Sequence, residues 1–537
     1  MEDRMKKQTT SITILETSDI HGHIFPYLYG TKKKATVGLG RIATFIREVR
    51  SQTGNVLVID NGNLYQGTPL TYYYMKQARH LPNPFVSILH ELNYDAAVIG
   101  NHEFNYGMEP LRKAHQEAEY PFLAANILDK GTMKPLFGLP YFIKVFPNGV
   151  KAAVLGVTTH YIPNWENPSH IVDLSFEDAF TSTRNWVSYI HTVEKPDVMI
   201  VSYHGGFEKD IQTGSPTERQ TGENQGYKIC QEVKGVDVLL TGHQHRKLAG
   251  TINGVSIVQP GMHGESIGKV TIELKRNKQG WTIINKEPQV ISMDGIEADK
   301  MVLSIAGDIE SKTQSWLDQS IGKIEGNMQI EDIFEARIKE HPFIEFIQRV
   351  QLEAADVSIS ATALFSESQQ GLPSIVTLRD IVSNYIYPNT LTVLELTGRD
   401  IRLALERSAS YFAVNQAGVL SVNPDFTTPK PQHYNYDMWE GIDYVLNISH
   451  PIGERVTSLF CNGEPLAEEQ KYQVVMNNYR AGGGGEYTMF KNKKIIKEIQ
   501  IDMTELIADY FLKYQTIKAA CNHNWKVVVD GEGRTSF

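Results

Sequence analysis

The sequence predicts an α/β layered fold for its first half and an α+β domain for its second, on three observations. Short β-branched apolar runs alternate with amphipathic stretches through the first half. Beyond residue 320 helix-like and strand-like segments no longer alternate strictly. Five of the early apolar runs end in side chains able to ligate a metal ion, and the carboxyl ends of strands in an α/β sheet line the crevice where ligands bind.

The five runs are SITILETSDIHGH, NVLVIDNGN, AAVIGNHE, DVMIVSYHGG and VDVLLTGHQH. GLGRIATFIREVRSQ is amphipathic and leads through Thr53 and Gly54 into the second run. NPFVSILHELN leads through Tyr94 and Asp95 into the third. FEDAFTSTRNWVSYIHTVEKP leads into the fourth, with Pro196 as the stop, and QGYKICQEVKG leads into the fifth. Between about 252 and 295 the pattern turns to alternating strands, VSIVQPG, SIGKVTIELKR and GWTIINKEPQVISM, read as a sheet edge closing a first domain over 1–295. Residues 296–320 read as a connecting helix, leaving 321–537 as a second domain. There HPFIEFIQRVQLEAA and GRDIRLALERSASYF read as helices. VTLRDIVSNYI, LTVLELTG, DYVLNISHP, RVTSLFCNG and YQVVMNNYR read as strands or short mixed segments.

Length and composition bound the function. The 537 residues suffice for two or more cores, and 41% apolar with 21% charged residues describes a globular chain. A net charge of −10 excludes a general nucleic-acid-coating role, which needs a basic surface. Small anionic substrates stay open, because bound cations reverse the local sign. Cys230, Cys461 and Cys521 are too few and too scattered for a disulfide framework and read as free thiols. The first twenty residues contain no apolar stretch of signal-peptide length, and no membrane span is expected. The expectation is a cytoplasmic chain, or a secreted one from which a signal has been removed.

The candidate ligands are Asp19, His21, Asn63, Asn101, His204, His243 and His245. Nitrogen and oxygen donors without thiolates suit Zn²⁺, Mn²⁺, Fe²⁺ or Mg²⁺. Seven are too many for one catalytic ion and suit a pair sharing a ligand, a device of phosphatases and nucleases with ions about 3.5–4 Å apart. Singly each is weak, since Asp-x-His after a strand is usually a turn. Five such tips in one chain are specific.

The order Asp-x-His, Asn-Gly-Asn-x-x-Gln-Gly, Gly-Asn-His-Glu-Phe-Asn, His-Gly-Gly and Gly-His-x-His resembles the calcineurin-like metallophosphoesterases. More narrowly it resembles the two-domain 5′-nucleotidase family, in particular its 2′,3′-cyclic-nucleotide 2′-phosphodiesterase/3′-nucleotidase branch. TLRDIVSNYIYPNTLTVLELTG, HYNYDMWEGIDYVLNIS and VVMNNYRAGGGGEY resemble that branch's nucleoside-binding domain. The resemblance implies a four-layer sandwich followed by an α+β nucleotide-binding domain. It implies one divalent ion on Asp19, His21 and His245, and a second on Asn101, His204 and His243. The bridging position falls on Asn63, where the family carries aspartate; Asp60 is acidic but is not the bridging residue by motif. His102 is implied as the catalytic histidine. Asn105, three residues on, replaces the aspartate of the 5′-nucleotidase branch and is usual in the cyclic-phosphodiesterase branch. Tyr434 or Tyr436, with Tyr479, would stack on the base, while Arg480 either contacts nucleotide or caps a loop. The loop over 360–370, where 5′-nucleotidases carry a phosphate-gripping arginine, reads SATALFSESQQ.

These readings imply an enzyme: a two-ion hydrolase of small nucleotide esters, with no nucleic-acid polymer and no membrane as partner. The expected course is 2′,3′-cyclic nucleotide to 3′-nucleotide to nucleoside. The alternatives are a 5′-nucleotidase or nucleotide-sugar hydrolase, and a nucleotide-binding protein whose catalysis Asn63 impairs.

Overall fold

The computed structural model describes residues 9–530, except 30, 31, 165, 219, 279, 368, 386, 388, 416–418, 429 and 500. Two six-stranded sheets carry the first half. The first runs, in spatial order, Gly280–Ser292, Ser266–Asn277, Thr9–Thr17, Val56–Asp60, Ala96–Val98 and Phe122–Leu123. Ser266–Asn277 pairs antiparallel with both Gly280–Ser292 and Thr9–Thr17, while Thr9–Thr17, Val56–Asp60, Ala96–Val98 and Phe122–Leu123 run parallel to one another. The second runs Lys247–Ile252, Val255–Pro260, Val238–Thr241, Val198–His204, Lys151–Thr158 and Tyr141–Val145, parallel at its centre and antiparallel at both edges.

The central strands are continuous apolar runs because both their faces are covered. Ile12, Ile14, Leu57 and Ile59 of the first sheet share one core with Val154, Val198, Ile200 and Leu240 of the second. On the outer face of the second sheet, Leu155, Met199, Val201 and Leu239 join Phe180, Val187 and Ile190 of helix Ala179–Val193 and Ile229 of helix Gly226–Glu232. Helices Leu39–Gln52 and Pro84–Glu91 bury their apolar stripes and are joined by Arg47 and Glu91 at 2.7 Å. This is the expected four-layer sandwich. The sequence reading placed VSIVQPG in a closing edge, but Val255–Pro260 lies inside the second sheet, and only Ser266–Asn277 and Gly280–Ser292 close an edge of the first.

The chain divides into two compact units, Met1–Thr313 and Gln314–Phe537, with the division inside helix Lys300–Leu317. The second unit is built on a sheet ordered Asp437–Glu440, Ile359–Ala363, Lys471–Asn477, Leu391–Thr397, Lys494–Ile499. Helix Pro342–Ala355 buries Phe343, Phe346, Ile347 and Val350 in the same core as Ile359, Val393 and Val474. Part of VTLRDIVSNYI is a helix, Leu378–Asn384, because Thr377 and Asp380 close a capping box that overrides the β-branched residues behind it. Helix Met503–Tyr514, which follows Asp502, had no counterpart in the sequence reading. Among the described residues no helix is long and apolar enough to cross a membrane.

Candidate metal centre and catalytic site

Register sets the site. Thr17 pairs with Asp60, and Asp60 with Ala97, so three strands of the first sheet end level. In the second sheet Thr241 pairs with Tyr203, and His204 with Thr158. The loops leaving these ends stay laced together: Asp19 N–H donates to Gly62 O at 2.9 Å and His21 N–H to Asn63 O at 2.8 Å. Asn61 joins the two sheets. Its Oδ1 accepts from Ser202 Oγ at 2.6 Å, its Nδ2 donates to Tyr203 O at 3.2 Å, and its carbonyl accepts from His204 Nδ1 at 2.6 Å. Five of the seven candidate ligands (Asp19, His21, Asn63, His243 and His245) sit at φ between +49° and +66°. Non-glycine residues held there cost on the order of 1–3 kcal/mol each, and such strain collects at functional sites.

The candidate ligands converge as two groups. In the first, Asp19 Oδ1 lies 3.7 Å from His21 Nε2 and 3.5 Å from His245 Nε2, and the two imidazole nitrogens are 3.1 Å apart. His21 Nδ1 donates to Gln66 O at 3.0 Å, so in the neutral ring its Nε2 carries a lone pair. Asp19 Oδ2 is occupied by Ser18 Oγ and His243 N–H, which leaves Oδ1 for the cluster. In the second group, Asn101 Oδ1 lies 3.0 Å from His204 Nε2 and 3.2 Å from His243 Nδ1. Burial pushes the His204 imidazole down to about 4, so it is neutral at pH 7, and its proton is on Nδ1 facing Asn61. Its Nε2 lone pair therefore faces a carbonyl oxygen. Two lone pairs converge in the second group, and the first brings together a carboxylate oxygen and two imidazole nitrogens; together they form a donor set that a pair of divalent cations would satisfy.

Asn63 stands between the groups. Its Nδ2 donates to Asp19 Oδ1 at 2.9 Å and to Asn101 Oδ1 at 3.3 Å, while its Oδ1 accepts His102 N–H at 2.9 Å. Sequence reasoning missed three supports. The Glu103 carboxylate accepts N–H groups from Gly100, Asn63 and Leu64 at 2.7, 2.9 and 2.6 Å, fixing two ligand loops at once. Glu223 Oε1 backs His243 Nε2 at 2.8 Å. Asn61 is the third. Only Glu103 left a usable signal, as the third residue of Asn-His-Glu. Burial alone would raise Asp19, but the neighbouring imidazoles of His21, His245 and His204 outweigh it and hold the carboxyl well below its ordinary value. Asp60 does not reach the centre: Thr17 Oγ1 donates to it at 2.8 Å, and burial pushes it up to about 8.

Residues 12–247 match the family description calcineurin-like phosphoesterase, and residues 320–492 match 5′-nucleotidase, C-terminal domain. A crystal structure of a proposed 5′-nucleotidase from Staphylococcus aureus is 33% identical, covering 96% of this chain and all of that one at a TM-score of 0.88. This chain belongs to the two-domain 5′-nucleotidase family of calcineurin-like phosphoesterases. The 2′,3′-cyclic-nucleotide 2′-phosphodiesterase/3′-nucleotidase of Salmonella typhimurium is 28% identical over 89% of this chain and 82% of its own length. The trifunctional nucleotide phosphoesterase YfkN of Bacillus subtilis is 26% identical over 96% of this chain, which spans 39% of that longer protein. As a calcineurin-like phosphoesterase the protein is a hydrolase of phosphoric esters, and its family works with a dinuclear metal centre.

Within this phosphoesterase, His102 lies beside the first ligand group, its ring 5.2 Å from that of His21 and edge-on to it. Its Nδ1 donates to Asn105 Oδ1 at 2.6 Å. In the second unit the three expected tyrosines separate. Tyr436 is fully buried, stacks on Tyr411 at 4.9 Å and donates its hydroxyl to Arg337 O. It has no face to offer a ligand, which corrects the expectation for that residue. Tyr434 and Tyr479 are half-buried and meet edge-on at 6.4 Å and 71°, an arrangement that forms a wall rather than parallel jaws. Tyr387 and Phe365 continue that aromatic row, at 6.4 Å from Tyr434 and 5.8 Å from Tyr387 respectively. Arg480 is buried in a two-pronged pair with Asp437 and also donates to Tyr434 O and Gly484 O, so it ties the loop.

Proposed function

We propose that this phosphoesterase hydrolyses 2′,3′-cyclic nucleotides to 3′-nucleotides and these to nucleosides, using two divalent ions such as Mn²⁺, Zn²⁺ or Fe²⁺. The observation that carries the reading is the convergence of two N/O donor groups on either side of residue 63. Asp19, His21 and His245 would hold one ion, Asn101, His204 and His243 the other. When bound, such a pair supplies Lewis acidity to the phosphoryl oxygens and makes hydroxide available near neutral pH. His102 then moves a proton at the leaving oxygen, worth roughly 10²–10⁴-fold. Tyr434 and Tyr479 offer ring surface to the base, with stacking worth about 1–3 kcal/mol. Asn105 and the arginine-free segment 360–370 favour the cyclic-nucleotide reading over a 5′-nucleotidase.

The likeness to the Staphylococcus aureus protein keeps the 5′-nucleotidase reading in view. Initial rates on 2′,3′-cyclic AMP, 3′-AMP and 5′-AMP, with Mn²⁺ added after chelation, decide between them. The proposal expects turnover of the first two and little of the third. Preference for 5′-AMP would replace it with the 5′-nucleotidase reading. No turnover of any, with the nucleotides still bound, would favour a binding protein impaired at Asn63.

A further inference from the structure

Asn105 raises a problem that an aspartate would not. Both oxygens of a carboxylate accept hydrogen bonds, so either can hold the Nδ1–H of a histidine. An amide offers one acceptor and one donor group, and turned by 180° it presents N–H to N–H. A neighbour that can only accept selects the working orientation. Glu166 is that neighbour: Asn105 Nδ2 donates to Glu166 Oε2 at 2.7 Å. With the amide nitrogen held there, Asn105 Oδ1 faces His102 Nδ1 at 2.6 Å. The other oxygen, Oε1, accepts Asn167 N–H at 2.8 Å and faces His170 Nδ1 at 2.9 Å, so the carboxylate is anchored from behind. The Glu166 side chain is 5% exposed, which shields the contact from competing water.

We infer that Glu166 is a positioning residue: it locks the Asn105 amide so that Oδ1 holds the His102 Nδ1–H, which aims Nε2 at the reacting phosphate, where in the imidazolium form it carries the proton given to the leaving oxygen. This rests on His102 being the catalytic histidine. Two consequences follow from donor and acceptor counts alone. Glu166→Gln keeps the shape but can donate to Asn105 Oδ1, so the amide is no longer selected. Asn105→Asp in the native background sets two carboxylates in contact, which is unfavourable unless they share a proton. Combined, the substitutions restore one acceptor facing His102 and one donor facing residue 105.

The test uses the full chain with Mn²⁺, measuring kcat and KM on 2′,3′-cyclic AMP and melting temperature for Glu166→Gln, Asn105→Asp, the double variant and His102→Ala. The expected result is a fall in kcat of roughly tenfold or more for each single variant, part of the 10²–10⁴-fold a positioned acid supplies. KM should stay within about twofold, and the double variant should recover most of the loss. A purely structural Glu166 would lower the melting temperature and leave the double variant no better than Glu166→Gln; that outcome overturns the inference. So does an unchanged kcat in Glu166→Gln while His102→Ala loses activity, which leaves the catalytic reading of His102 standing. An unchanged kcat in His102→Ala overturns both.

Discussion

Replacing Asn63 by aspartate tests the charge logic of the centre. As the side chain lies, its Nδ2 is 2.9 Å from Asp19 Oδ1 and 3.3 Å from Asn101 Oδ1, which puts an N–H donor group where two cations need an oxygen. Turning the amide over would supply the oxygen but would set N–H against His102 N–H, now satisfied at 2.9 Å. Either orientation leaves one buried polar contact unmade, at about 1–3 kcal/mol. At 1.36 kcal/mol per decade that weakens the less tightly held ion by roughly 5- to 150-fold. Aspartate accepts on both sides, and its charge adds attraction in the same direction. Asn63→Asp should therefore tighten the weaker site at least about tenfold and raise activity at limiting metal. Without metal the same change places a carboxylate beside Asp19, so the chelated variant should melt below the native form. Calorimetric Mn²⁺ titration and 2′,3′-cyclic AMP hydrolysis against Mn²⁺ read both effects. Two tight ions in the native form, with no gain in the variant, would refute the reasoning.

Glu103→Ala strips the partner from three buried N–H groups, at about 1–3 kcal/mol each, and should lower both melting temperature and metal uptake; unchanged melting would show the loops stand without it. Tyr436→Ala should destabilise by about 3–5 kcal/mol in denaturant unfolding, as a large core truncation. Tyr479→Ala should instead raise KM for nucleotides and barely affect bis(p-nitrophenyl) phosphate, and equal losses on both substrates would give Tyr479 a folding role. Glu345 packs against Glu440 and Glu340, and burial followed by those two carboxylates pushes its acid group up to about 9. The folded state then keeps a proton that the unfolded chain releases near 4.5, so this contribution is full below 4.5 and is lost as pH rises through 9. Glu345→Gln should flatten that fall in melting temperature between pH 5 and 9, and an unaltered slope would place the titration elsewhere.

The convergence of the candidate ligands was legible in the sequence because each strand end carries a residue type with few other reasons to be there. His204 and His243 on one sheet and Asp19 and Asn63 on the other could be matched through motif order alone. The supports were less visible. Glu166, Glu223 and Asn61 act through loop geometry between residues 20 to 141 positions apart, and no periodicity encodes that. Tyr434 and Tyr436 are two residues apart, a spacing that a strand would put on one face; the 3-10 turn His433–Asn435 breaks that register, and Tyr436 stacks on Tyr411 in the core while Tyr434 stays half-buried. Helix Leu378–Asn384 was masked by Ile381 and Val382, residues that favour strands until a capping box decides otherwise. Val255–Pro260 alternates like an edge strand, yet all six residues are buried, since its place inside the second sheet depends on partners and not on its own pattern.

Two divalent ions are proposed to bind between the strand ends, one in each donor group. Anomalous diffraction from crystals grown with Mn²⁺ locates them directly. Two peaks are expected about 3.5–4 Å apart, one contacted by Asp19, His21 and His245, the other by Asn101, His204 and His243, with residue 63 between them. A single peak would confine the centre to one ion and remove the two-ion chemistry, and peaks away from these residues would contradict the assignment of the site.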